Sequence, residues 1–161
     1  MAKPGVIDCP SIFDPISARI AESLGFQCVS LEGSALGIAT CRVEASLGLE
    51  DFAKAVRSIT EVINIPLIVD AGGGFGEPAH VYNTIHVLEH AGAAGVHMED
   101  QIFPKRFHYF KDSRVDVIPA EVMVDKIRCA VESRRDPDFV IIGRTDTVKT
   151  HELSEAIRRA N

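Results

Sequence analysis

Asp70 closes a short apolar run, and Glu99 with Asp100 closes the next one. Arg144 and Asp146 close a third. Carboxylates converging at the ends of neighbouring strands suit Mg²⁺, a hard cation that takes oxygen ligands and keeps several waters. An ion held there would clamp a 2-oxo acid and stabilise negative charge developing on its oxygen. A single Asp after a strand is ordinarily a turn former or a helix cap; acids at several strand ends together favour a site. Arg144 follows the apolar run Phe139–Ile142, so its guanidinium leaves a buried strand and is placed to grip a carboxylate. The segment Phe103-Pro104-Lys105-Arg106-Phe107-His108-Tyr109 adds Lys105 for substrate carboxylates and His108 or Tyr109 for proton movement.

Two further motifs are less specific. Ala71-Gly72-Gly73-Gly74-Phe75-Gly76-Glu77-Pro78 follows Asp70, and consecutive glycines let backbone N–H groups approach an anion. Glu77 breaks the G-x-G-x-x-G fingerprint. His86-Val87-Leu88-Glu89-His90 matches the H-x-x-E-H zinc pattern. Both histidines share a helix face beside an apolar stripe, no third ligand is evident, and the motif reads as a surface helix.

These residues need elements to hold them. Val6–Cys9, Cys28–Leu31, Pro66–Asp70, Gly95–Glu99 and Phe139–Gly143 are short apolar runs bounded by Gly, Pro or Asp, the pattern of strands buried on both faces. Amphipathic segments alternate with them. Asp14-Pro15 opens a helix with Ile16, Ile20 and Leu24 as its stripe, ending at Gly25. Phe52, Val56, Ile59 and Ile63 mark a second. Pro78 opens a third carrying Val81, Ile85 and Leu88; Pro119 opens a fourth carrying Met123, Ile127 and Ala130; Leu153, Ile157 and Ala160 begin a fifth. The β-α alternation fits an α/β fold, either a doubly wound sheet or a (β/α)8 barrel. Polar residues at three successive strand ends favour the barrel, where all strand ends meet at one site.

A barrel takes about 250 residues, and this chain has 161. The expectation is therefore a partial (β/α)8 TIM barrel, with residues 1–161 the N-terminal part of a single barrel domain and about five of its β-α units. The net charge of −6 and the absence of a long Lys/Arg run argue against nucleic acid. No apolar run approaches a membrane span, and residues 1–5 hold no signal-peptide core. Four cysteines without a C-x-x-C pair suit a reducing, cytoplasmic compartment.

The motifs Ile68-Val69-Asp70-Ala71 with Gly74-Phe75-Gly76, His97-Met98-Glu99-Asp100-Gln101 with Pro104-Lys105-Arg106, and Phe139-Val140-Ile141-Ile142-Gly143-Arg144-Thr145-Asp146 resemble the isocitrate lyase/phosphoenolpyruvate mutase superfamily. The resemblance implies a (β/α)8 barrel, homo-oligomers, bound Mg²⁺ and chemistry through the enolate of a pyruvate-like group. It implies that Asp70 and Glu99 hold the metal, that Gly33, Ser34 and Ala35 meet the 2-oxo acid carboxylate through their amides, that Arg144 binds the same unit, and that Lys105 lies on a gating loop. Three positions depart from the family pattern. Gly72 stands where a D-x-D motif has its second Asp, Phe107 stands at the catalytic Cys of the lyases, and Glu44 lies where many relatives have Pro-Asp. The reading is a Mg²⁺-dependent carbon–carbon lyase of small 2-hydroxy or 2-oxo di- or tricarboxylates, of methylisocitrate lyase type. His108 or Tyr109 would replace the missing thiol, and a fragment by itself is expected to be inactive. An oxaloacetate decarboxylase, a phosphoenolpyruvate mutase-type phosphonomutase and a catalytically inactive homologue are the alternatives.

Overall fold

The computed structural model describes residues 5–105, 115–149 and 151–161. Five strands, β1 (Ser11–Ile12), β2 (Val29–Leu31), β3 (Leu67–Asp70), β4 (Gly95–Glu99) and β5 (Val140–Arg144), form one parallel sheet in the order 1-2-3-4-5. Helices alternate with them: α1 (Pro15–Ser23), α2 (Gly33–Ala39), α3 (Leu49–Thr60), α4 (Pro78–His90), α5 (Ala120–Ser133) and α6 (Leu153–Ala160). Short 3₁₀ turns lie at Glu44–Ser46 and Thr147–Lys149. Each strand pairs with its neighbour in sequence, so the sheet has no reversal of order. A doubly wound sheet requires that reversal; a barrel winds in one direction. The architecture is a partial (β/α)8 barrel.

Local chemistry sets most boundaries. Asp14 caps α1 by accepting from the Ser17 amide at 2.7 Å, and Pro15 fills the first helical position. Asp51 accepts from the Gly48 amide at 2.8 Å at the start of α3. The predicted stripes of α3 and α4 are buried: Phe52, Val56 and Ile59, and Val81, Ile85 and Leu88, form the core with Val29, Leu67, Val69, Val96 and Met98 of the sheet. At ~25 cal/mol per Å² of apolar surface, each fully buried Ile or Leu side chain contributes about 1.5–3 kcal/mol.

Three expectations are corrected. The first strand is not Val6–Cys9 but Ser11–Ile12. Val6 is 93% exposed, and pairing with β2 starts only at the Pro10 carbonyl, which accepts from the Ser30 amide at 3.0 Å. The stripe of α1 points outward: Ile16 and Leu24 are 70% and 71% exposed, while the small Ala18 and Ala21 lie against the core. Likewise Leu153 and Ile157 of α6 are exposed and Ala156 is buried. Both helices lie toward the ends of the sheet, and among the described residues their apolar stripes stay exposed. Among the described residues, no helix is long and apolar enough to cross a membrane.

Candidate active site

Alternation along β4 puts His97 and Glu99 on one face of the sheet, with Val96 and Met98 turned into the core. Register then completes the row. Asp70 pairs with His97, and Glu99 pairs with Arg144. The C-terminal ends of β3, β4 and β5 thus present a carboxylate, an imidazole, a second carboxylate and a guanidinium side by side.

Asp70 is buried and held by backbone amides. Its Oδ1 accepts from Gly72 at 2.8 Å and its Oδ2 from Gly33 at 3.2 Å. The Gly33 amide predicted to meet substrate therefore points at Asp70, and Ser34 and Ala35 follow it in the first turn of α2, whose amides have no partner within the helix. A Cβ at Gly33 would stand 2.9 Å from the Glu44 side chain, which would have to shift to admit it. His97 bridges two acids, with Nε2 at 3.3 Å from Glu32 Oε1 and Nδ1 at 3.8 Å from Asp70 Oδ1. Burial alone would lower the His97 pKa, but the hydrogen bond to Glu32 and the charge of Asp70 outweigh it and the pKa is raised. The Glu32 carboxyl is lowered, chiefly by the hydrogen bond with His97.

Glu99 is fully buried. Its charge is balanced by Lys105 Nζ at 2.8 Å from Oε1 and Arg144 at 3.3 Å from Oε2, yet neither oxygen receives a well-directed hydrogen bond. Burial pushes the Glu99 carboxyl up, and Lys105 offsets this only in part. Lys105 Nζ also bonds Glu44 Oε1 at 2.6 Å, so the ammonium spans two carboxylates. Burial would lower its pKa, but these two partners raise it. Asp100, one residue beyond Glu99, faces away from this row. It accepts from Thr145 Oγ1 at 2.6 Å, the Asp146 amide at 2.8 Å and Arg159 at 3.1 Å, which ties the β5 end and α6 to β4.

The glycine segment after Asp70 turns tightly. Gly74 has φ +82°, and a Cβ there would lie 2.6 Å from Val81. Buried Lys126 of α5 fixes the turn by donating to the Gly73 carbonyl at 2.8 Å. Phe75 meets Phe52 edge to face at 5.5 Å and lines a cavity of about 40 Å³ beside Asp70, closed by Phe103, Glu44 and Lys105. At ~10–15 Å³ per water, that space holds about three waters.

Site residues at Gly33, Ser34, Ala35, Asp70, Glu99, Lys105 and Arg144 are thus brought to one end of the sheet. His108 and Tyr109 lie outside the described residues. Two residues were given no role in the sequence reading. His97 is legible from strand alternation, two positions before Glu99. Glu32 is legible only as an acid at the end of β2. The His86/His90 motif lies elsewhere: His86 stacks on Tyr82 at 4.6 Å, and Glu89 accepts from the amides of Arg135 and Asp136 at 3.0 and 2.7 Å.

The donor set fits Mg²⁺: buried Asp70 and Glu99 offer oxygens, and those of Glu99 lack hydrogen bonds. Comparison with known proteins points the same way. A 2-methylisocitrate lyase of Escherichia coli is 40% identical over 147 residues, covering 89% of this chain and 49% of that protein. An oxaloacetate decarboxylase of Rhodopseudomonas palustris is 38% identical over 152 residues, covering 93% and 52%. A crystal structure of a phosphonopyruvate hydrolase complex with oxalate and Mg²⁺ superposes with a TM-score of 0.85 at 30% identity, covering 94% of this chain and 52% of that one. The chain spans about half the length of the curated relatives it matches. The family model described as phosphoenolpyruvate phosphomutase matches residues 2–161, so with this fold and this row of strand-end residues the chain belongs to the phosphoenolpyruvate phosphomutase family.

Proposed function

We propose that the chain forms part of a Mg²⁺-dependent carbon–carbon lyase acting on a small 2-hydroxy or 2-oxo di- or tricarboxylate, of methylisocitrate lyase type. The observation that carries this reading is the fully buried Glu99, flanked by Asp70, Arg144 and Lys105 beside a closable cavity. Asp70 and Glu99 would hold Mg²⁺, directly or through water. The ion supplies Lewis-acid polarisation of a 2-oxo or hydroxyl oxygen. Arg144 binds the substrate carboxylate nearest the reacting carbon, and the Gly33–Ala35 turn would offer it the Ser34 and Ala35 amides, the Gly33 amide being held by Asp70. Lys105 leaves Glu44 and Glu99 to admit substrate and returns to neutralise a second carboxylate. Phe52, Phe75 and Phe103 exclude water from the closed cavity.

Cleavage removes the hydroxyl proton, breaks the C–C bond with its electron pair left on the departing carboxylate fragment, and returns a proton to that carbon. His108 and Tyr109 follow Lys105 in sequence and are assigned the proton steps. A second reading, oxaloacetate decarboxylation, is favoured by Phe107 at the position of the lyase thiol, since loss of CO₂ requires fewer proton donors. On the same reading, residues 1–161 are the N-terminal part of one (β/α)8 domain in a cytoplasmic homo-oligomer. The half-length coverage of relatives and the uncovered apolar faces of α1 and α6 support that assignment. The test is pyruvate release by the intact protein from methylisocitrate and from oxaloacetate, with and without Mg²⁺. Mg²⁺-dependent release from methylisocitrate is expected. Release from oxaloacetate alone would select the decarboxylase, and release from neither would leave an inactive homologue.

A further inference from the structure

We propose that Glu32, Asp70 and His97 form a three-ligand divalent-cation site in which Glu32 takes the part of the carboxylate missing at position 72, and the imidazole shifts preference from Mg²⁺ toward a first-row transition ion such as Mn²⁺. The proposal deepens the reading above and rests on its placement of the metal at Asp70. Three observations carry it.

The first is a vacancy matched by a surplus. Gly72 has no side chain, and a Cβ there would meet nothing within 4 Å. Glu32 sits at the N-cap of α2 but makes no side-chain cap bond. Its carboxylate instead turns into the site, accepting from Ser30 Oγ and lying 3.3 Å from His97.

The second is spacing. One donor atom from each of Glu32, Asp70 and His97 lies within 4.8 Å of the others, and among the described residues this is the one such group. Donors at about 2.1 Å from a small cation stand roughly 3 Å apart when cis and roughly 4.2 Å when trans, so the group holds an ion after closing by about 1–2 Å. Nδ1 faces Asp70 and Nε2 faces Glu32, so the ring gives one nitrogen to the ion and the carboxylate at the other nitrogen turns toward it to complete the three ligands.

The third is unmet polarity. His97 Nδ1 and both oxygens of fully buried Glu99 have no hydrogen bond. Among the described residues, Lys105 and Arg144 are the cations paired with this row, against carboxylates from Glu32, Glu44, Asp70 and Glu99. A divalent ion between Asp70 and His97 would give Nδ1 a partner and add positive charge beside the row. Carboxylates alone suit Mg²⁺, whereas an imidazole nitrogen favours softer first-row ions.

The test is Mn²⁺ titration of the intact protein, following the electron paramagnetic resonance signal of free Mn²⁺, with Mg²⁺ as competitor. Pulsed measurements for nitrogen coupled to the bound ion complete it. Wild type is expected to bind one Mn²⁺, to show nitrogen coupling, and to release the ion only at Mg²⁺ in roughly tenfold excess or more. Glu32→Gln, with its circular dichroism matched to wild type, should bind at least about tenfold more weakly. Unchanged affinity in Glu32→Gln with loss in Asp70→Asn would remove Glu32 from the shell and leave the active-site reading standing. Unchanged affinity in both variants would overturn both. Bound Mn²⁺ without nitrogen coupling, displacement by equimolar Mg²⁺, or no binding at all would each overturn the proposal without recourse to any variant.

Discussion

Two regions of this molecule place histidines beside carboxylates, and they behave in opposite ways. On α4, His86, Glu89 and His90 match a metal-protease spacing, but the helix leaves His86 and Glu89 half-buried and His90 exposed. Glu89 is occupied by two backbone amides, and His86 stacks on Tyr82. At the ends of β3 and β4, Asp70, His97 and Glu99 match no short pattern in one segment. Parallel pairing nevertheless puts them on one buried face beside Arg144. Motif spacing fixes only which side chains share a face of one element. Convergence of several elements, together with burial, raises the cost of each unpaired charge and so creates a demand for ligands.

The comparison breaks first at Glu99. Glu99→Ala is expected to lower Mg²⁺-dependent turnover of the intact protein at least a hundredfold, equivalent to roughly 3 kcal/mol of barrier. It should also destabilise the fold by about 3 kcal/mol, because Lys105 and Arg144 lose a buried counter-charge. Pyruvate release against Mg²⁺ concentration and a denaturant midpoint measure the two effects. Turnover with an unchanged Mg²⁺ dependence would move the metal away from this row.

Asp100 sharpens the contrast between adjacent acids. Asp100→Ala strands three donors from β5 and α6, and a stability loss of about 2 kcal/mol is expected. The Mg²⁺ requirement of the folded fraction should stay as in wild type. A shifted Mg²⁺ requirement would put Asp100 in the metal shell. Glu89→Ala, which releases two partly solvated amides between α4 and β5, should lower the unfolding free energy by about 1 kcal/mol. A loss of activity beyond that stability change would give α4 a functional role. The smallest effect is expected for His86→Ala, within about 0.5 kcal/mol and with unchanged metal content. Stoichiometric zinc in the untagged protein that disappears in this variant would reverse the assignment of the two regions.

The elements differ in how legible they were. The stripes of α3 and α4 run 52-56-59 and 81-85-88 and are buried as their periodicity requires. The stripe of α1 runs 16-20-24, also a helical spacing, yet Ile16, Ile20 and Leu24 face outward and two alanines face the core. Periodicity identifies a helix with an apolar face; which neighbour covers that face depends on elements elsewhere in the fold. The run Val6–Cys9 has strand composition but forms no strand ladder among the described residues, since pairing with β2 begins only at Pro10. Lys105 was assigned to substrate carboxylates, and its position between Glu44 and Glu99 was not foreseeable, because 61 and 6 residues separate it from those partners.

The sequence by itself determined the β-α alternation, the strand ends that carry acids and Arg144, the family motifs, and the departures at Gly72 and Phe107. These are local properties of burial pattern, turn chemistry and residue type. Tertiary structure alone decided the division of labour among the acids. Strand register set His97 against Asp70 and Arg144 against Glu99, the α2 N-cap turned Glu32 toward His97, and the close of β4 sent Glu99 inward and Asp100 into a structural network. The physical reason is that charge and hydrogen-bond balance are long-range sums over groups from different elements. A carboxylate becomes a ligand, a cap or a tether according to which of those groups reach it.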